Sequence, residues 1–125
     1  MIKGIRVLIV VNVIVMLVQA TWAGRMLGGD ARSVELHELT AKVLVLLGTA
    51  IALSMILARR VGNFPRSLLI SSVGLVIAEI LEFALGHLNL VAIHVPLGLA
   101  IFGGAVRQMG WILQQRGDEP ENAAA

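Results

Sequence analysis

The stretch IRVLIVVNVIVMLVQATW, residues 5–22, is almost wholly apolar and has Arg6 as its one charged residue. A hydrocarbon core of ~30 Å needs about 20 consecutive apolar residues in a helix, so this stretch is long enough to cross a bilayer. Three more stretches of this kind follow, at residues 37–57, 67–86 and 92–113. The sequence therefore predicts four transmembrane helices.

The composition supports this prediction. The chain of 125 residues is 58% hydrophobic and 14% charged, whereas soluble domains are about 45–50% apolar and about 25% charged. In lipid only helices and closed barrels satisfy their backbone groups, and long unbroken apolar runs favour helices. Because the connections are short, we expect an all-α integral membrane four-helix bundle with up-down-up-down order, with the lipid bilayer as its main partner.

The distribution of basic residues predicts the orientation. Three groups share one side of the predicted bundle: Lys3 with Arg6, then Arg59, Arg60 and Arg66, then Arg107 and Arg116. The positive-inside rule makes this side cytoplasmic, which places both termini in the cytoplasm and the chain in the inner (plasma) membrane. A cleaved signal peptide, with small residues near Ala20 and Ala23, is the alternative for the first stretch.

Length and residue usage exclude several classes. We expect one transmembrane domain, residues 1–116, followed by a flexible cytoplasmic tail, residues 117–125. The absence of cysteine excludes disulfides, iron–sulfur clusters and c-type haem attachment. The net charge is only +2, without a clustered basic face, so nucleic acid is not an expected partner.

All three histidines fall at the outer ends of predicted helices. His37 begins the second helix, His87 ends the third and His94 begins the fourth. Residues at offsets of four and eleven lie within about 40° of the starting residue on a helix. Small residues occupy these offsets below two of the histidines: Ala41 and Gly48, followed by Ala52, below His37, and Gly98 and Ala105 below His94.

This arrangement predicts a b-type haem. In an up-down bundle the second and fourth helices are parallel and diagonal, so histidines at equal depth point at one central iron. The small residues leave room for the porphyrin, and Arg25 and Arg32 can pair with its propionates. The alternative is that small residues only allow bare helices to pack closely in lipid. His87 can cap its helix, bond a propionate or replace one axial ligand.

The third predicted helix carries two acidic residues inside the membrane. Glu79 lies near the bilayer centre and Glu82 one turn further out, and such residues generally face the bundle interior or find a partner. We expect an ion pair between Glu82 and Lys42. Glu79 either belongs to a proton path or forms a buried polar clamp that fixes helix register. Asn12 and Gln19 share one face of the first helix and are candidates for the same polar interior.

Short motifs resemble one four-helix half of the haem A synthase family. These are Gly24-Arg25, Val34-Glu35-Leu36-His37, Leu85-Gly86-His87, and Ile93-His94 followed by small residues. The resemblance implies haem between the second and fourth helices, with His37 and His94 as its ligands and Glu35 near the family's acidic residue. Glu38 stands where the family tends to have arginine, the loop cysteines are absent, and a homodimer would restore eight helices.

Three functions follow, and we favour the first. It is a bis-histidine b-type cytochrome that transfers electrons with a quinol or another membrane redox protein. The second is a haem-modifying or quinol-linked membrane oxidoreductase, with Glu35 or Glu79 moving protons. The third is a cofactor-free accessory or assembly subunit, or a transporter fragment, in which histidines and glutamates hold helices together or bind a divalent metal.

Overall fold

The computed structural model describes residues 2–62 and 64–115, which form four α-helices. They are α1 (Ile2–Leu27), α2 (Arg32–Val61), α3 (Arg66–His87) and α4 (Val91–Gln114). All four are long and apolar enough to cross a membrane. The predicted all-α class with four such helices is confirmed. Arg116 and the predicted tail, residues 117–125, lie outside the described residues.

The helices are longer than the apolar stretches that predicted them. The sequence indicated a connection over residues 23–36, but α1 ends at Leu27 and α2 begins at Arg32. Hydropathy marks the part of a helix that suits lipid, whereas backbone hydrogen bonding continues into the polar ends. The apolar stretches leave Arg25 and Arg32 in this connection, but Arg25 lies in the last turn of α1 and Arg32 is the first residue of α2.

A compact turn joins α1 to α2. Gly29 has φ 92°, a left-handed conformation that glycine adopts without strain. The Asp30 carboxylate accepts hydrogen bonds from the Arg32 backbone N–H, the Ser33 hydroxyl and the Arg25 guanidinium, at 3.1, 2.9 and 2.7 Å. The bonds from Ser33 and then Arg25 lower the pKa of Asp30 below its usual value. The turn thus fixes the start of α2 relative to the end of α1.

The four helices pack in a ring. Each contacts its neighbours in the order α1, α2, α3, α4 and back to α1, and within the described residues no Cα atoms approach within 8 Å across either diagonal. Below the histidine end, the core has two apolar layers. One contains Val13, Met16, Leu44, Ile101 and Ala105, and the layer at the far end contains Ile5, Ile9, Ile51, Met55, Ala58, Phe64, Leu68 and Ile112.

The outer surface of the bundle is largely apolar. Large side chains on every helix face outward, among them Ile14 and Leu17 on α1, Leu46 on α2, Ile70 on α3 and Leu99 on α4. Soluble monomers rarely expose continuous apolar surface of this extent. The buried core is correspondingly thin, and most apolar side chains need another apolar medium around the bundle.

Candidate histidine site

His37 of α2 and His94 of α4 meet across the bundle. Their ring centroids are 6.2 Å apart and their planes are inclined by 74°. The backbones of α2 and α4 do not approach each other, so the two imidazoles themselves span the diagonal. The structure thus brings together the two histidines that the sequence analysis paired.

Gln19 of α1 holds the ring of His37. The Nδ1–H of His37 donates to the backbone carbonyl of Gln19 at 3.3 Å, because a carbonyl oxygen can only accept. The side-chain amide of Gln19 donates to Nε2 of the same ring at 3.2 Å. The amide oxygen of Gln19 in turn accepts a hydrogen bond from the Thr40 hydroxyl. One residue of α1 therefore orients this imidazole through its main chain and its side chain.

Glu82 of α3 holds the ring of His94 in a related way. The Nδ1 atom of His94 lies 3.0 Å from the backbone carbonyl of Glu82 and 3.0 Å from its carboxylate Oε1. Both side chains are mostly covered, with 22% of His94 and 18% of Glu82 exposed. The N–H of this ring is consequently shared between two oxygens of a single residue.

The expected Lys42–Glu82 ion pair is wrong. Lys42 instead pairs with Glu38, one turn earlier on α2, at 2.7 Å, and both side chains are about half exposed. Residues four apart on a helix are surface neighbours, so Lys42 finds a partner without crossing the bundle. Glu82 faces α4, where its carboxylate contacts Nδ1 of His94 at 3.0 Å.

Both histidines share one protonation pattern. Because each Nδ1 faces a backbone carbonyl, which can only accept, the neutral form of each ring is protonated at Nδ1 and has its lone pair on Nε2. Histidines that bind metals usually donate their other N–H to a carbonyl or carboxylate in this manner, which fixes ring orientation. The two Nε2 atoms are therefore the candidates for ligation, and that of His37 accepts a hydrogen bond from the Gln19 amide in this structure.

A cavity of about 860 Å³ opens around the two rings and draws its lining from all four helices. The predicted residues Ala41, Gly98 and His87 line it together with His37 and His94. The volume lies within the ~300–1,000 Å³ typical of sites for small molecules and cofactors. Other predicted residues are placed elsewhere: Arg25, Arg32, Glu35, Gly48 and Ala105 are not among its described lining residues.

The glycines of the small-residue stripes accommodate glutamates of α3. A Cβ atom added at Gly48 would overlap the carboxylate of Glu79, and one added at Gly98 would lie 2.8 Å from Oε1 of Glu82. Glu79 is buried and lies 3.5 Å from the side-chain nitrogen of Asn12. The sequence indicates both glycines and both glutamates as candidate interior residues, but it does not show that they contact each other.

His87 takes a peripheral position at the cavity rim. Its ring is exposed, its Nδ1 lies 3.3 Å from the Phe83 carbonyl in the last turn of α3, and its centroid is 4.5 Å from that of Phe83. Of its three predicted roles, this geometry favours the capping of its own helix.

The donor set at the site suits a cofactor better than a bare metal ion. Imidazole nitrogens bind metals at about 2.0–2.1 Å, so two rings on opposite sides of one ion have centroids about 6 Å apart. A bare zinc or similar ion needs three or four protein ligands, and the described residues contain no cluster of three or more metal-binding side chains. Two imidazoles alone fit an iron whose remaining ligands belong to a porphyrin.

Comparison of the chain with family models, curated proteins and solved structures gives no match. The resemblance to one half of a haem A synthase therefore stays an expectation from short motifs. The assignment of the site depends on the geometry described above.

Proposed function

We propose that the chain is a membrane b-type cytochrome that holds one haem between His37 and His94 near the outer face. In this proposal the four helices cross the plasma membrane in up-down-up-down order, and both termini lie in the cytoplasm. Its function is electron transfer, with a quinol or another membrane redox protein as partner.

Two features support insertion and orientation. The four helices have 18-residue windows of mean hydropathy between 1.3 and 2.2, and at most a third of each window is buried inside the bundle. Lipid supplies the apolar surroundings that the remaining side chains need. The basic residues at the end opposite the histidines favour a cytoplasmic location for that end.

The observation that carries the haem proposal is the ring separation of 6.2 Å between residues on diagonal helices. This is the spacing that one iron between two imidazoles requires. The fixed Nδ1 donors and the cavity of about 860 Å³ add independent support. A haem held by these two imidazoles would supply one-electron transfer.

The chain's own residues then have defined tasks. His37 and His94 hold the iron, while Gln19 and Glu82 keep their rings in the required tautomer and orientation. Apolar lining residues such as Phe102 keep water from the site. Arg25 pairs with Asp30 at 2.7 Å, so propionate binding by Arg25 would require it to exchange partners.

The proposal is tested by the reduced-minus-oxidised visible spectrum of protein purified in detergent with haem supplied during expression. We expect the sharp bands of a low-spin b-type cytochrome and one haem per chain. His87→Ala is the matched control and should keep both. A colourless protein that binds no added haem would overturn the proposal.

One observation favours a second candidate, a cofactor-free accessory subunit. The Nε2 atom of His37 already accepts a hydrogen bond from the Gln19 amide, so this ring is satisfied as an interhelical contact. In that case the purified protein would be colourless, and His37→Ala would lower its stability without any spectral change. In the cytochrome, by contrast, the iron replaces the Gln19 amide as the partner of Nε2.

A further inference from the structure

We infer that Glu82 is a positioning residue that makes the two haem ligands chemically unequal. The Nδ1 atom of His94 contacts a carboxylate as well as a backbone carbonyl, whereas the Nδ1 atom of His37 contacts a backbone carbonyl. The inference rests on the proposed haem site and adds to it a determinant of reduction potential.

Residues of both α3 and α4 shape the contact between Glu82 and His94. The side chain and the main chain of Glu82 each place an oxygen 3.0 Å from Nδ1 of His94. One turn further along α3 is Gly86, where an added Cβ would lie 3.1 Å from Cε1 of the His94 ring. One turn further along α4 is Gly98, where an added Cβ would lie 2.8 Å from the Glu82 carboxylate.

Gly86 lies four residues after Glu82, and Gly98 lies four residues after His94. These two glycines make room for the pair. Gly86 allows the ring to lie against α3, and Gly98 allows the carboxylate to lie against α4. Among the described residues, the hydrogen-bond partner of Nδ1 in His37 is the backbone carbonyl of Gln19 at 3.3 Å and not an acid. The inequality between the ligands is therefore a property of the folded chain and not of surface charge.

A carboxylate behind a metal-binding imidazole raises the basicity of that ligand. A more basic ligand, together with a negative charge near the iron, stabilises the oxidised form relative to the reduced form. The effect is strong here because the pair is largely shielded from solvent, and the second carboxylate oxygen, Oε2, is buried without a hydrogen-bond partner among the described residues. We therefore expect Glu82 to lower the reduction potential of the haem.

The test compares the reduction potentials of the wild type and Glu82→Gln, measured by redox titration of the visible spectrum. Glu82→Gln keeps the shape and an acceptor oxygen but removes the charge. It should keep low-spin haem, with the potential shifted upward and the reduced-to-oxidised ratio at a fixed potential raised about tenfold.

The matched control is Glu79→Gln. It removes a buried carboxylate from the same helix that touches Asn12 and not a histidine, so its shift should be clearly smaller than that of Glu82→Gln. Equal shifts in the reduction potential of these two variants would show that any buried carboxylate on α3 has the same effect. That result would overturn the inference. An unchanged potential in Glu82→Gln with haem still bound would also overturn it while leaving the cytochrome proposal standing.

A second readout does not need haem. In the ¹H–¹⁵N spectrum of the haem-free protein, the His94 Nδ1–H resonance should lie far downfield because the proton is shared with a carboxylate, and Glu82→Gln should move it upfield. If the wild type binds no haem, the cytochrome proposal fails, and this resonance alone decides whether Glu82 holds His94. A His94 signal that does not respond to Glu82→Gln overturns the contact.

Discussion

The two helical hairpins of the bundle, α1–α2 and α3–α4, present their histidines alike but surround them differently. In each hairpin the histidine on the second helix donates Nδ1–H to a backbone carbonyl on the first. The residue that supplies this carbonyl is Gln19 in one hairpin and Glu82 in the other. The contact between each histidine and a backbone carbonyl therefore repeats, while the side chain of the residue that supplies the carbonyl does not.

The difference extends deeper into the bundle. Among the residues on the histidine side of the bundle, α1 turns the amides of Asn12 and Gln19 inward, whereas α3 turns the acids of Glu79 and Glu82 inward. Glu79 of the second hairpin reaches across to Gly48 of the first, and Glu82 stays within its own hairpin beside Gly98. The repeat thus sets the positions of the two histidines, while each hairpin supplies different groups around its ring.

Loss of either histidine should have the largest effect. His37→Ala or His94→Ala removes a bond to iron, so we expect haem affinity to fall by more than the about 10–100-fold typical of residues that only support a ligand. Haem titration followed by absorbance measures this. If one of the two variants keeps the wild-type affinity and spectrum, the two hairpins do not share the iron.

A methyl group at Gly48 should come next. Gly48→Ala places a methyl group where the Glu79 carboxylate lies, so the carboxylate must move. Overpacking of this kind lowers the free energy of unfolding by about 1–3 kcal/mol. Unfolding in mixed detergent micelles measures it. Gly103→Ala is the control, because a Cβ at Gly103 meets no atom within 4 Å.

A double variant sharpens this prediction. Gly48→Ala combined with Glu79→Ala should lose less stability than the sum of the two single variants, since the methyl group then occupies vacated space. Strict additivity would show that Gly48 and Glu79 do not contact each other.

Removal of the Gln19 side chain should have a smaller effect. Gln19→Leu loses the hydrogen bonds to His37 and Thr40, and such bonds between transmembrane helices contribute about 0.6 kcal/mol on average. We expect a loss of about 1 kcal/mol in the haem-free protein, measured by the same unfolding assay. Thr49→Val, which loses only a bond within its own helix, should change little, and an equal loss in both would count against the contact.

The smallest effect concerns the turn between α1 and α2. Hydrogen bonds from Ser33 and Arg25 lower the pKa of Asp30 in the folded protein below its usual value. This group therefore contributes stability that is present above the unfolded pKa and lost as pH falls through the folded pKa. The thermal midpoint should drop slightly more between pH 7 and pH 3 in the wild type than in Asp30→Asn, and an identical pH dependence would contradict it.

The sequence predicts much of this fold because lipid imposes simple constraints. Each apolar stretch of adequate length corresponds to a helix, and the three histidines lie at one end as their positions indicated. The ends of α1 and α2 were misjudged because residues 23–36 are too polar for lipid yet still helical at both ends.

The details of the site depend on helix rotation, which a sequence without relatives does not give. Similar depth in the bilayer is the only basis in the sequence for a Lys42–Glu82 pair. The rotation of α2 and α3 about their axes instead brings Lys42 to Glu38 and Glu82 to His94. The small residues Gly48 and Gly98 were interpreted as space for a ring, but each also faces a carboxylate of α3. Equal depth thus predicts that His37 and His94 meet, as the structure has them. The residues that hold the two rings become visible only in the packed structure.

The electron paramagnetic resonance spectrum of the oxidised, haem-loaded protein tests the central claim most directly. Two imidazoles on one iron with ring planes 74° apart should give a low-spin ferric signal of the highly anisotropic type that near-perpendicular ligand planes produce. A high-spin ferric signal, or no haem signal from protein supplied with haem, would contradict the assignment of His37 and His94 as joint ligands.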